Sequence, residues 1–152
     1  MKARDIMTTD VVTVGPDASV HEIARSLVDK HLTALPVINA DGAPIGMVSE
    51  GDLLGPEDTT REARREAWLT LLAEGEPLSP TFLEWLYSQR RSASYLMSKP
   101  VISIDEGTDV NEIARVLAAH HVKRVPVVRD GRFVGIVSRG DLLRALYQNS
   151  VS

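Results

Sequence analysis

The chain has 152 residues, 43% of them hydrophobic, and a formal net charge of −4. That apolar content supports a packed interior rather than a disordered chain, while the acidic balance argues against a nucleic-acid partner, which asks for a basic face. Cysteine is absent, which excludes disulfides, zinc–thiolate sites and cysteine nucleophiles. No apolar run reaches the length of a membrane span, and MKARDIMTTD lacks the apolar stretch of a signal peptide, so the expectation is a soluble cytoplasmic protein without membrane partners.

In chain order, Val11–Val14 reads as a short strand. It leads to a helix with apolar positions Val20, Ile23, Ala24 and Leu27, the i, i+3, i+4, i+7 spacing of one buried face, with Ser19 as its N-cap. LPVI, residues 35–38, is apolar without alternation, which suits a strand covered on both faces. ADG then marks a hairpin turn, PIGMVS returns as a strand, and a second helix opens at Gly51-Asp52-Leu53-Leu54. The same order recurs further on: Val101–Ile104, a helix on Val110, Ile113, Ala114 and Leu117 capped by Asp109, VPVV, RDG, FVGIVS and Gly140-Asp141-Leu142-Leu143. Residues 7–37 align with 97–127 and residues 41–54 with 130–143, and twenty positions recur identically. The chain is an internal duplication of a strand, helix, strand, strand, helix unit, too small to bury both sheet faces alone. Between the copies, residues 55–93 show helical spacing at Ala63, Ala67 and Leu71, a break at Gly75 and Pro77, and a restart at Ser79-Pro80. This predicts three segments: unit one over 1–54, a helical insert over 55–93, and unit two over 94–152. The insert reads as a helical hairpin packing its aromatic residues on its host, or as a surface for a partner.

The most informative repeat is GMVSEGDLL against GIVSRGDLL. Ser49 with Asp52, and Ser138 with Asp141, have the spacing of a helix capping box. Glycine at 51 and 140, in the first helical turn, costs roughly 1 kcal/mol against alanine and permits close approach to a helix N-terminus. The aspartate would repel a phosphate but suits the paired hydroxyls of a ribose. A phosphate needs a cation, which Lys123-Arg124 supply before VPVV, whereas Thr33-Ala34 occupy the equivalent place before LPVI. Both the capping and the ligand readings stay open on these residues. His31 and His121 end the first helix of each unit, a structural position, and the adjacent His120 and His121 point about 100° apart and cannot easily share a metal. No phosphate-loop, G-x-S-x-G or H-E-x-x-H motif occurs, and neither repeated serine has a histidine at a repeat-consistent position. No catalytic residue and no metal site are expected, and the protein is not expected to be an enzyme.

The two units, LPVINADGAPIGMVSEGDLL and VPVVRDGRFVGIVSRGDLL, each after a DIMTTDVVTV- or YLMSKPVISI-like lead-in, resemble a pair of CBS domains, or Bateman module, over roughly 3–54 and 94–146. The resemblance implies an α+β fold of two β-α-β-β-α units packed through their sheets with pseudo-twofold symmetry. It also implies two clefts for AMP, ADP, ATP, S-adenosylmethionine or NAD as a regulatory ligand, a homodimer, and a regulated partner protein of unknown identity. Carried over, the first cleft would use Met47, Ser49 and Asp52 with Met97, Pro100, Ile102, Val122, Lys123 and Arg124. The second would use Ile136, Ser138 and Asp141 with Met7, Asp10, Val12, Leu32, Thr33 and Ala34, and it lacks a basic residue before Leu35, so the first is expected to bind more strongly. The REAWLTLLAEGE part of the insert resembles that of bacterial proteins in which a CBS pair precedes a BON domain. A ligand-independent assembly module, with the corners serving only as caps, is the alternative.

Overall fold

A computed structural model describes residues 1–53, 92–98 and 101–151, the last three by backbone only. The expected insert therefore lies outside the described residues except for Ser92 and Ala93, as does Pro100. The elements are α1 (Ala3–Ile6), α2 (Val20–Asp29), β1 (Ala34–Ile38), β2 (Pro44–Ser49), α3 (Glu50–Leu53), α4 (Ala93–Leu96), β3 (Ile104–Asp105), α5 (Val110–His120), β4 (Arg124–Arg129), β5 (Arg132–Ser138) and α6 (Arg139–Val151). The chain forms two compact units that interleave in sequence. Among the described residues, one holds 1–11, 38–44 and 101–151, and the other holds 12–37, 45–53 and 92–98.

In the first of these units, β3 pairs parallel with β4, and β4 antiparallel with β5, giving the order β3-β4-β5. A parallel pair needs a crossover, and α5 provides it. Asp109 caps α5 by accepting the Asn111 N–H at 3.0 Å. The β4–β5 turn places Asp130 at φ 52° and Gly131 at φ 80°, the two consecutive positive values of a tight hairpin that follows strand twist. The core gathers Ile104, Ile113, Leu117, Val125, Val127 and Val137 with Ala3 from α1, and Ile6 and Met7 pack against it. Thr8 exchanges backbone hydrogen bonds with Ile136, N to O at 2.9 Å and back at 3.0 Å.

The other unit repeats the plan. Ser19 caps α2 through the Glu22 N–H at 3.1 Å, and β1 and β2 form a two-stranded sheet that Val14 joins in parallel at Val37. Its core is Val20, Ile23, Leu27, Leu35, Val37, Val48 and Leu53 with Ala93 and Leu96 from α4, and Met97 packs against it. Ser98 N–H donates to the Met47 carbonyl at 2.9 Å, matching Thr8 on Ile136. Each copy's lead-in thus pairs with the return strand of the other copy.

Four expectations need adjustment. Val11–Val14 pairs only at Val14, and the second lead-in strand runs over Ile104–Asp105 rather than Val101–Ile104, because only its last residues reach the neighbouring strand. The corner helices open one residue early, at Glu50 and Arg139. Ala114 is exposed rather than on the buried face, and Val116 packs on the core from the same helix.

Candidate functional site

Each Ser-x-Gly-Asp corner forms where a return strand turns directly into a helix. Ser138 N–H donates to Asp141 Oδ2 at 2.8 Å and its hydroxyl to the same oxygen at 3.1 Å, while Asp141 N–H donates back to Ser138 Oγ at 3.2 Å. Ser49 N–H and Oγ likewise donate to Asp52 Oδ2 at 2.8 and 3.0 Å. This is the capping box expected from the spacing. Both carboxylates are buried, Asp52 at 1% exposure and Asp141 at 6%, so their hydrogen bonds are required rather than decorative. The Arg139 N–H donates to the Lys123 carbonyl at 3.0 Å and the Glu50 N–H to that of Thr33 at 3.1 Å, tying each corner to the start of its neighbouring strand.

The glycines differ in their reasons. A Cβ at Gly135 would lie 2.8 Å from the Thr8 carbonyl oxygen and 2.9 Å from Met7 Sδ, and one at Gly46 would strike Met97 along its length, 2.9 Å from its Cβ. These glycines exist to let the lead-in methionines close over the strands. A Cβ at Gly140 would meet only Arg144 Nη1 at 3.4 Å and Ser138 Oγ at 3.5 Å, ordinary contacts. The fold itself gives Gly140 no steric reason.

The predicted site residues distribute between the two units. Met47, Ser49, Asp52, Met97, Val12, Leu32 and Thr33 belong to one. There Val12, Leu32 and Met97 are half-buried against the core, and Thr33 is exposed. Met7, Ile102, Val122, Lys123, Arg124, Ile136, Ser138 and Asp141 belong to the other, with Met7, Ile102 and Val122 packed on its core. Lys123 is exposed, Arg124 is half-buried, and Arg124 stands opposite Ser138 in the β4–β5 register. Burial pushes the Arg124 guanidinium below its ordinary pKa, although arginine stays charged at neutral pH.

The cleft expected around the Asp141 corner has no basic residue before Leu35, and the structure adds a cation from the corner's own helix. The Arg144 guanidinium pairs with Asp141 Oδ1, and Thr8 Oγ1 reaches the same oxygen at 3.4 Å. Arg144 and Thr8 were missed. The signals for them were the i, i+3 spacing of Asp141 and Arg144 on one helix and the recurrence of a hydroxyl at Thr8 and Ser98. Among the described residues no three histidine, aspartate or glutamate side chains converge on a metal position, and no helix is long and apolar enough to cross a membrane.

Two units that interleave in sequence, each closing a buried corner carboxylate where a return strand turns into a helix, define a tandem α+β pair. The CBS-domain profile matches residues 3–63 and 93–148. The chain belongs to the CBS-domain family, as a tandem pair. It is 31% identical over 149 residues to the chloroplastic CBS domain-containing protein CBSX1 of Arabidopsis thaliana, covering 91% of this chain and 60% of that one. It spans a similar 63% of CBSX2, so it covers somewhat under two thirds of these relatives. The crystal structure of Arabidopsis CBSX2 superimposes with a TM-score of 0.75 at 28% identity, covering 99% of this chain and 97% of that one. CBSX2 in complex with AMP superimposes with a TM-score of 0.71 at 27% identity, covering 98% of each. Hypoxic Response Protein I, whose structure holds two coordinated zinc ions, gives a TM-score of 0.67 at 27% identity, over 95% of this chain and 98% of that one.

Proposed function

We propose that the chain is a non-catalytic regulatory module that binds an adenosine-containing nucleotide, among AMP, ADP, ATP and NAD, and passes occupancy to a partner protein. The carrying observation is the duplicated buried carboxylate at a helix start, with a glycine beside it at Gly140 that the fold does not need for space. The AMP complex of a relative 27% identical to this chain supports the choice of ligand class. On this proposal Asp52 and Asp141 receive the ribose hydroxyls, and Met47, Met97, Met7 and Ile136 offer apolar contact to the base. Ile102 and Val122 extend that surface, and Lys123 and Arg124 attract the phosphate. Regulation follows only from differential affinity for two states of the module.

Calorimetric titration of the full chain with AMP, ATP and NAD tests this, repeated on Asp52→Ala and Asp141→Ala. Saturable heat is expected, weakened at least about tenfold by one substitution or the other, as for loss of a charge-assisted hydrogen bond. No heat with any of the three, or unchanged affinity in both variants, refutes it. The exposed apolar residues Leu143, Leu146 and Tyr147 on α6 favour a second reading, a homodimeric assembly module. On that reading the aspartate variants lose stability but the chain shows no ligand heat.

A further inference from the structure

Where each lead-in meets the other copy's return strand, a methionine covers a strand glycine. Met7 closes over Gly135, where a Cβ would lie 2.9 Å from its Sδ and 3.1 Å from its Cγ. Met97 closes over Gly46, where a Cβ would strike its Sδ, its Cγ at 2.7 Å and its Cβ at 2.9 Å. Each sulfur therefore lies against bare strand backbone, in space that only glycine leaves open. The residue after each methionine makes the backbone pairing: Thr8 N–H donates to the Ile136 carbonyl and Ser98 N–H to that of Met47, both at 2.9 Å. Met7 and Met97 also pack on the cores of their own units, yet both are half-buried rather than sealed. The chain has four methionines and no cysteine, so thioethers are its only sulfur. Three of the four, Met7, Met47 and Met97, stand at these two crossings.

We propose that Met7 and Met97 form a reversible oxidation site through which peroxides loosen the two lead-ins. The thioether sulfur attacks one oxygen of hydrogen peroxide, and the O–O bond breaks as the S–O bond forms. The other oxygen leaves as hydroxide and becomes water by taking the proton that the new S–O–H group releases. The sulfur gives up two electrons and the peroxide gains them, so no further reagent is required. The sulfoxide is polar and chiral where the thioether was flexible and apolar. Its oxygen must reach water or a donor, which lifts the side chain from the glycine and takes the adjoining Thr8 or Ser98 pairing with it. Leucine at 7 and 97 would fill the same space without this sensitivity. Reduction of the sulfoxide regenerates the thioether and lets the lead-in close again. None of this depends on what the corner carboxylates bind, so it stands apart from the nucleotide reading above.

The test treats the full chain with hydrogen peroxide, locates the added oxygen by peptide mass spectrometry and follows unfolding by circular dichroism. Met1, 42% exposed, is the internal reference for dose. Met7 and Met97 are expected to gain oxygen in the folded chain while the thermal midpoint falls by roughly 4–8 °C, the scale for two lost packing contacts at this chain length. Amide exchange at Thr8 and Ser98 is expected to quicken about tenfold or more, as for a local opening. Methionine sulfoxide reductases for both epimers are expected to reverse both readings. The chain carrying Met7→Leu and Met97→Leu keeps its own midpoint under the same dose, whereas Met47→Leu stays sensitive. Conversion of Met1 while Met7 and Met97 stay reduced overturns the proposal. So does oxidation of both with midpoint and exchange unchanged, an equal loss in the double leucine chain, or a midpoint that the reductases do not restore. Should the double leucine chain not fold, each leucine is placed alone. The protected lead-in is then expected to keep its slow amide while the other quickens, and equal quickening of both overturns the proposal.

Discussion

His31 and His121 adopt φ of 54° and 53°, a left-handed conformation that non-glycine residues enter at a cost. Both stand where the first helix of a copy ends, and the next residue turns back to close it. The Leu32 N–H donates to the Leu27 carbonyl at 2.9 Å and the Val122 N–H to that of Leu117 at 3.2 Å. That pattern is the helix stop usually made by glycine. Both side chains are exposed, so glycine removes strain without opening a cavity, although it gives back part of the gain by loosening the unfolded chain. His31→Gly and His121→Gly are each expected to stabilise by about 0.5–1 kcal/mol, read as an upward shift of the thermal midpoint. A fall in midpoint for both would mean that these side chains hold contacts beyond the cap. The sequence showed the two histidines as equivalent and structural but not why, since a backbone dihedral leaves no periodic trace when glycine is not the residue chosen.

At the scale of elements, the strand–helix–strand–strand–helix order and both N-caps were readable, because hydrophobic period and cap chemistry are local. The capping box was equally readable, being a matter of three-residue spacing. Pairing was not. Neither the lead-in's short contact with its parallel neighbour nor its crossing to the other copy's return strand has a local signature, since any exposed strand edge offers the same backbone groups. Glycine was the one available clue. Gly46 and Gly135 recur inside strands, where glycine is unfavourable and marks close approach, and the approaching groups are Met97 and Met7. Gly135→Ala drives a methyl onto the Thr8 carbonyl and Met7 Sδ. The backbone oxygen cannot yield as a flexible side chain would, so a loss of about 1–3 kcal/mol is expected, measured by denaturant unfolding. Gly140→Ala, meeting only ordinary contacts, serves as the internal control.

For the molecule as a whole, the interleaving means that a sequence repeat is not a structural unit. The unit containing β3, β4 and β5 draws in α1, whose Ala3 is fully buried, and backbone bonds fasten it: Ala3 N–H to the Thr108 carbonyl at 2.8 Å and Val110 N–H to that of Met1 at 3.1 Å. Arg129 adds a two-point ion pair to Glu106 at 2.8 Å in each arm, which holds the Glu106 carboxyl below its ordinary range. That pair lies wholly within the second copy, so it survives any cut between copies, while the α1 contacts do not. A fragment of residues 94–152 keeps the β4–β5 hairpin but loses Ala3, Ile6 and Met7 from its core and the Thr8 pairing from its edge. A chain near 60 residues is already marginal in the surface it can bury, and it cannot absorb that loss. The fragment alone is expected to show no cooperative thermal transition by circular dichroism, and residues 1–11 joined to it by a flexible linker are expected to restore one. A fragment that melts cooperatively at the midpoint of the full chain would show that the second copy's own side chains suffice for its core, and that the crossed lead-ins serve register rather than stability.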